Sequence, residues 1–476
     1  MLRSFLYSRT SVTKSFSCFL RGKLQVSCVC FTEPSTYSVT DVKPLVSGNC
    51  LQIDWKDGHT SSFHSCWLRL CCQCDKCKQS SSGQRTINVS SLPDPIKLSS
   101  FAISENKENL LLTWERESDH QGVLNLKWLR ENCYSEPARK IQSEMRRTQP
   151  HLGQHLNGRF AHSSVLFRLT YLLLLHYYSS GKTMFIEVKL LLFNYHSLPE
   201  VEYSEMMETK EGLWKMLCQL SDHGVSLVKQ VPIDDEETVC KVARRMGPPQ
   251  ETVYGMTFNV LSVPNPINIA YSDVELALHM DLMYYESPPG LQLLHCLRYD
   301  PEVEGGESIF VDAFEVAKDL RKQFPDDFNN LVRIPATFQK IHFERDYPVK
   351  LVYKRPHVVL NPDNEVVAVN WSPAFEGPLF VPEADVEPYF KAYRRFTKLL
   401  DESPIKKTVT MQPGDLICFN NRRVLHGRNS LKLNGGVRFL KGCYVNIDEF
   451  RNTFQVMSEL MGSCQPCKRI GNQCFL

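Results

Sequence analysis

Apolar and polar residues alternate along two related stretches of the chain. Leu51-Gln52-Ile53-Asp54-Trp55 leads through polar turn residues to Trp67-Leu68-Arg69, and Leu111-Leu112-Thr113-Trp114 leads to Trp128-Leu129-Arg130. Period-two alternation predicts short antiparallel strands, hence a small β domain over 38–135. After residue 200 the period changes. Leu213, Met216, Leu217 and Leu220 recur at three and four residues, which predicts a helix from Thr209 to Gly224 and then a strand to Val228. Asp234 to Met246 reads as a second helix, with acids in its first turn. Short apolar runs follow at 291–298, 308–311 and 416–419, and Asn361-Pro362-Asp363-Asn364 marks a hairpin between 357–360 and 365–369. Glu383 to Asp401 carries Val386, Phe390, Tyr393, Phe396 and Leu400 as one helical face. The fold class is mainly β with flanking helices: a double-stranded β-helix (jelly-roll) over 201–455 behind the small β domain.

Composition narrows the picture from outside that frame. Of 476 residues, 42% are hydrophobic and 23% charged, ordinary for a globular chain, and a net charge of +2 gives no reason to expect a nucleic-acid partner. No apolar run reaches the roughly 18 residues of a membrane span. Residues 1–30 contain Arg and Lys but no Asp or Glu, the composition of a mitochondrial transit peptide, with cytoplasm as the alternative location. Residues 150–198 fit neither neighbour and read as an insertion or linker without assigned function. Residues 456–476, with Cys464 and Cys467, read as a disordered tail.

Candidate chemistry falls in two places. His279 and Asp281 stand two apart, which on a strand puts both on one face. His426 is a distant third ligand. Two His and one carboxylate leave one side of a metal open, as in non-haem Fe(II) oxygenases. Arg438 follows in the run 437–440, where its guanidinium could grip a dicarboxylate through paired hydrogen bonds. Among 18 Cys, Cys72, Cys74 and Cys77 form C-x-C-x-x-C. With His120 they make a closed set for structural Zn(II); Cys66 and Cys71, and His59 and His64, are competing ligands.

Tyr254-Gly255, Asn268 to Tyr271, His279-x-Asp281, Pro288 to Cys296, Pro413-Gly414-Asp415 and His426-Gly427-Arg428 together resemble the γ-butyrobetaine dioxygenase family, close to trimethyllysine dioxygenase. The WLR-x-x-C-x-C-x-x-C pattern is similar to that family's zinc-binding domain. The resemblance implies a 2-oxoglutarate- and Fe(II)-dependent hydroxylase that turns γ-butyrobetaine into carnitine with O2, with ascorbate as reductant. It also implies a small quaternary-amine substrate and a homodimer. It assigns His279, Asp281 and His426 to iron, and Arg438, Asn268 and the backbone at Leu294 to 2-oxoglutarate. Tyr254, Tyr271 and Tyr444 would enclose the trimethylammonium group by cation–π attraction. Phe258 stands where the family has Trp, Leu282 where it has Tyr, and Ser372 where it has a substrate-contacting Asn. These changes leave trimethyllysine, or another quaternary amine, open as substrate. An inactive zinc-stabilised scaffold is the non-enzyme alternative.

Overall fold

The computed structural model describes residues 37–45, 49–79, 81–82, 84–147, 198–261, 273–345 and 347–468. The leader expected over 1–30 and positions 150–197 of the expected insertion lie outside them. The small domain is one unit built twice. Strands β1 (Val39–Leu45), β2 (Cys50–Trp55) and β3 (Thr60–His64) form an antiparallel sheet that runs into α1 (Ser65–Leu70). Strands β4 (Leu98–Ile103), β5 (Asn109–Trp114) and β6 (Glu117–Asn125) repeat it and run into α2 (Leu126–Glu131), with α3 (Glu136–Arg146) after. Alternation buries Leu51, Ile53 and Trp55 with Leu110, Leu112 and Trp114 in one core. The WLR segments are helical, and Trp67 stacks on Trp128 at 5.5 Å. Each unit's Arg holds the other unit's acid: Arg69 donates to Glu117, and Arg130 to Asp57.

The large domain opens with β7 (Glu200–Glu202), α4 (Tyr203–Glu208), α5 (Lys210–His223) and β8 (Val225–Lys229). The Thr209 hydroxyl caps α5 by accepting from Gly212 N–H, and Gly224 ends it at φ 75°, a left-handed position that suits glycine. Helix α6 (Thr238–Arg244) is shorter than the predicted 234–246. Asp235 instead turns back on the Glu237 N–H at 2.9 Å, because a short carboxylate competes for local backbone donors.

Next come β9 (Thr257–Leu261), β10 (Leu276–His279), β11 (Leu291–Tyr299), β12 (Glu304–Gly305), β13 (Ser308–Asp312), α7 (Ala313–Gln323) and α8 (Pro325–Arg333). Hairpins β14 (Pro335–His342) with β15 (Val349–Pro356), and β16 (Val358–Leu360) with β17 (Val366–Val369), lead to α9 (Glu383–Asp401). The chain closes with β18 (Lys407–Val409), β19 (Leu416–Asn420), β20 (Val424–Arg428), β21 (Leu431–Lys432), β22 (Arg438–Val445) and α10 (Ile447–Leu460).

Two sheets face each other: β7-β8-β19-β11-β22-β9 and β10-β20-β13-β18. Pairing is antiparallel throughout both except between β7 and β8. This is the expected jelly roll. Helix α9 has the expected bounds but a different inner face. Tyr389, Ala392, Phe396 and Leu400 are buried while Phe390 is 47% exposed, since one residue turns the helix by about 100°. Helix α10 runs past 456, where a disordered tail was expected; it buries Met457, and Cys467 reaches the same core. Among the described residues no helix is long and apolar enough to cross a membrane.

Candidate functional site

His279 ends β10 and pairs across the ladder with His426 on β20. Their rings lie 4.2 Å apart between centroids. Asp281 is not on the strand with His279, as the alternation argument assumed, but in the turn after it. Leu282, at φ 58°, turns the chain there. Asn421 pins the turn, accepting from Asp281 N–H at 2.8 Å and donating to its carbonyl at 2.9 Å. The carboxylate then reaches His279 Nε2 at 3.4 Å. One ligand atom from each of the three residues lies within 4.8 Å of the others. His279 Nδ1 is 2.8 Å from the Ala277 carbonyl, which fixes the proton there and frees Nε2 for a metal.

Charge states agree. Burial raises the Asp281 pKa, but the contacts from His279, His426 and the Tyr444 hydroxyl prevail and hold it well below the carboxylate range. Burial, with His279 alongside, pushes His426 down to about 3. At neutral pH the group offers one anionic oxygen and a neutral His426 imidazole, the states a metal requires. The donor set and its one open side fit a divalent iron.

The cavity beside these ligands is floored by one strand. Arg438, Leu440, Gly442 and Tyr444 alternate along β22 on a single face, and all but Gly442 line the cavity. Gly442 is where the Phe258 ring lies: a Cβ there would stand 2.3 Å from Phe258 Cζ. Phe258 in turn stacks on Tyr444 at 4.9 Å and 25°, and Tyr444 donates to Asp281 at 2.7 Å. Arg438 Nη2 is 3.5 Å from Ser308 Oγ on the facing sheet. Arg438 Nε and Gln292 Oε1 are buried without partners among the described residues, and both side chains line the cavity. Orphaned polar atoms of this kind fit a polar ligand such as 2-oxoglutarate.

Of the residues expected at this site, Arg438, Leu294, Tyr254, Phe258 and Tyr444 join the triad around one cavity. Ser372 does not line it; it is fully buried with an unpaired hydroxyl, while Ala374 and Phe375 form that wall. Asn268 and Tyr271 lie outside the described residues. Sequence reasoning missed Gln292, Ser308, Arg428, Phe375 and Asn421. Arg428 was within reach, since it stands two after His426 on the same strand face. Asn421 carries no such signal, because its role depends on a turn 140 residues away.

A second ligand cluster sits in the small domain. His120 Nε2 is 3.6, 3.4 and 3.4 Å from the Sγ of Cys72, Cys74 and Cys77. Zn–S near 2.3 Å and Zn–N near 2.0 Å in a tetrahedron give edges of about 3.5 Å. The donor set therefore fits zinc. Glu117 stands 3.8 Å from His120 Nδ1 and is held by Arg69, which also donates to Cys77. Cys66 is exposed. His59 meets Cys133, the counterpart of Cys72 in the repeated unit, and His64 meets Tyr134.

Jelly roll, facial ligand set and lined cavity define a metal-dependent oxygenase. Residues 193–444, over half of the chain, match the model of taurine catabolism dioxygenase TauD, TfdA family. The chain belongs to that family, and it is a dioxygenase. Residues 44–121 match gamma-butyrobetaine hydroxylase-like, N-terminal. A gamma-butyrobetaine dioxygenase of Pseudomonas sp. (strain AK-1) is 27% identical, over 87% of this chain and 97% of that protein. The mitochondrial trimethyllysine dioxygenase of Rattus norvegicus is 27% identical, over 83% of this chain and 82% of that protein. A solved structure of the non-heme iron oxygenase OrfP with Fe and alpha-ketoglutaric acid is 16% identical, with a TM-score of 0.41, over 58% of this chain and 100% of that one.

Proposed function

We propose that this chain hydroxylates γ-butyrobetaine to L-carnitine, with Fe(II) as cofactor and 2-oxoglutarate and O2 as co-substrates. One observation carries the reading: the triad, Arg438 and four aromatic rings (Tyr254, Phe258, Phe375, Tyr444) line one cavity. Bound iron would supply activation of O2 coupled to decarboxylation of 2-oxoglutarate, one oxygen atom going to succinate and the other to the product. The protein's part is positional. His279, Asp281 and His426 hold the metal; Arg438 takes the distal carboxylate of 2-oxoglutarate; the rings aim one substrate carbon. A quaternary ammonium has no N–H to donate, so ring faces are its partners, at about 0.5–2 kcal/mol each. No side chain needs to act as acid or base. Ascorbate would keep the iron ferrous. The acid-free leader and the mitochondrial relative support a mitochondrial location.

Trimethyllysine, or another quaternary amine, is the alternative substrate. Incubation of the protein with γ-butyrobetaine and trimethyllysine side by side tests the choice by mass spectrometry. The expected result is a +16 product from γ-butyrobetaine, with succinate in equal amount, and neither from His279→Ala. Product from trimethyllysine alone would overturn the assignment.

A further inference from the structure

A buried amide stands among the iron ligands' neighbours with its oxygen unanswered. Along β11, Leu291 and Leu293 turn to the core behind the sheet, while Gln292 and Leu294 turn to the cavity and line it. Gln292 is 1% exposed, and its carboxamide oxygen is buried with no hydrogen-bond donor among the described residues. A buried polar atom left unpaired is costly, so the position asks for a ligand.

Strand register puts this amide at the metal end of the cavity. Gln292 stands opposite Phe419 on one side and opposite Tyr444 on the other. Directly opposed residues share a face and lie side by side. The Phe419 ring is 4.8 Å from that of His426, and Tyr444 donates to Asp281 at 2.7 Å. Gln292 is thus the middle of a row whose outer members both touch iron ligands. Arg438 stands opposite Tyr299, at the other end of β11. The two polar groups enter the cavity from opposite ends of the β11–β22 pair.

The chemistry of the occupants decides which end of the amide is used. 2-Oxoglutarate is a dianion that only accepts hydrogen bonds, and a quaternary ammonium has no N–H. An amide oxygen aimed into the cavity would stay unpaired with either. A half-turn of the carboxamide exchanges the oxygen for the NH2 group, which carries two donors.

We propose that Gln292 is a binding residue for 2-oxoglutarate, its NH2 donating to the carboxylate next to the keto group, the end that chelates iron. Arg438 takes the far carboxylate, so the co-substrate is held at both ends. The role of Gln292 rests on 2-oxoglutarate as co-substrate and is independent of which amine is hydroxylated.

Two keto acids separate the ends. 2-Oxoglutarate carries both carboxylates; 2-oxopentanoate has a near-equal shape with a methyl group in place of the far one. Binding of each to the full chain with Fe(II) is titrated without O2, by the visible charge-transfer absorption that a keto acid gives on chelating Fe(II). Urea unfolding of the same proteins without iron or keto acid is measured alongside. Gln292→Met should weaken both keto acids by one factor, about ten- to a hundredfold, the size of a charge-assisted hydrogen bond. Its unfolding midpoint without ligands should match or exceed that of wild type, because the unpaired amide is gone. Gln292→Leu should do the same. Arg438→Met should weaken 2-oxoglutarate but not 2-oxopentanoate.

Wild-type affinity for both keto acids in Gln292→Met overturns the proposal. So does a loss confined to 2-oxoglutarate, which would put the amide at the far carboxylate. A lowered unfolding midpoint, or failure to fold, in both variants would show that the protein itself answers the amide, and overturns the proposal too. If Arg438→Met weakens the two keto acids alike while Gln292→Met behaves as expected, the reading of Arg438 falls and the role of Gln292 stands.

Discussion

Gly442→Ala is the sharpest test of how the cavity is built. An added Cβ would stand 2.3, 2.5 and 2.9 Å from three atoms of the Phe258 ring. Carbon atoms rest at about 3.5 Å or more, so the ring must retreat by about 1.2 Å. It cannot do so while keeping its 4.9 Å stack on Tyr444. Overpacking of this kind costs about 1–3 kcal/mol of stability. A ring displaced by an ångström also loses much of a cation–π contact of about 0.5–2 kcal/mol, or about 2- to 30-fold in substrate affinity. The assay pairs denaturant unfolding with substrate-dependent succinate formation, titrating substrate and 2-oxoglutarate separately. The expected result is a higher KM for the quaternary amine with the 2-oxoglutarate requirement little changed. Gly442→Ala/Phe258→Leu should recover the lost stability but not the substrate affinity. A Gly442→Ala protein with wild-type stability and wild-type KM would refute the placement of Phe258 against this strand.

Arg438→Met should raise the 2-oxoglutarate requirement by tenfold or more, about 1.4 kcal/mol, read from the dependence of succinate formation on 2-oxoglutarate; an unchanged requirement would remove Arg438 from that role. Chelation of zinc, or His120→Ala, should unfold the small domain first, seen as loss of the near-ultraviolet signal of the stacked Trp67 and Trp128; a signal indifferent to strong chelators would argue against the site. Burial raises Glu376 to about 7, only partly offset by its bond with Tyr393. The folded state then binds that proton more tightly than the unfolded state, so this contribution to stability is intact below about pH 4.5 and lost as pH rises through about 7. Glu376→Gln should flatten that part of the pH–stability curve, and an unaltered slope would show that Glu376 is not its source.

Much of this architecture is local and could be read from the chain. Helix α5 came out within a residue because Thr209 and Gly224 cap it through their own short-range chemistry. The Asn361–Asn364 hairpin lies where turn residues dictate, with Asn364 at φ 60°. Misreadings arose where a long-range partner outweighed the local signal. Asn421 pulls Asp281 off the strand, and packing on α9 chose Tyr389 over Phe390.

The sequence by itself determined the ligand types, the identity of the arginine that faces them and the two-sheet character of the domain. Each of these rests on residue chemistry, or on a repeat of two or four positions. Only the tertiary structure decided that Ser372 is shut out and that Gly442 makes room for Phe258. Those facts depend on the register between strands far apart in the chain, where a shift of one residue would exchange the inward and outward faces.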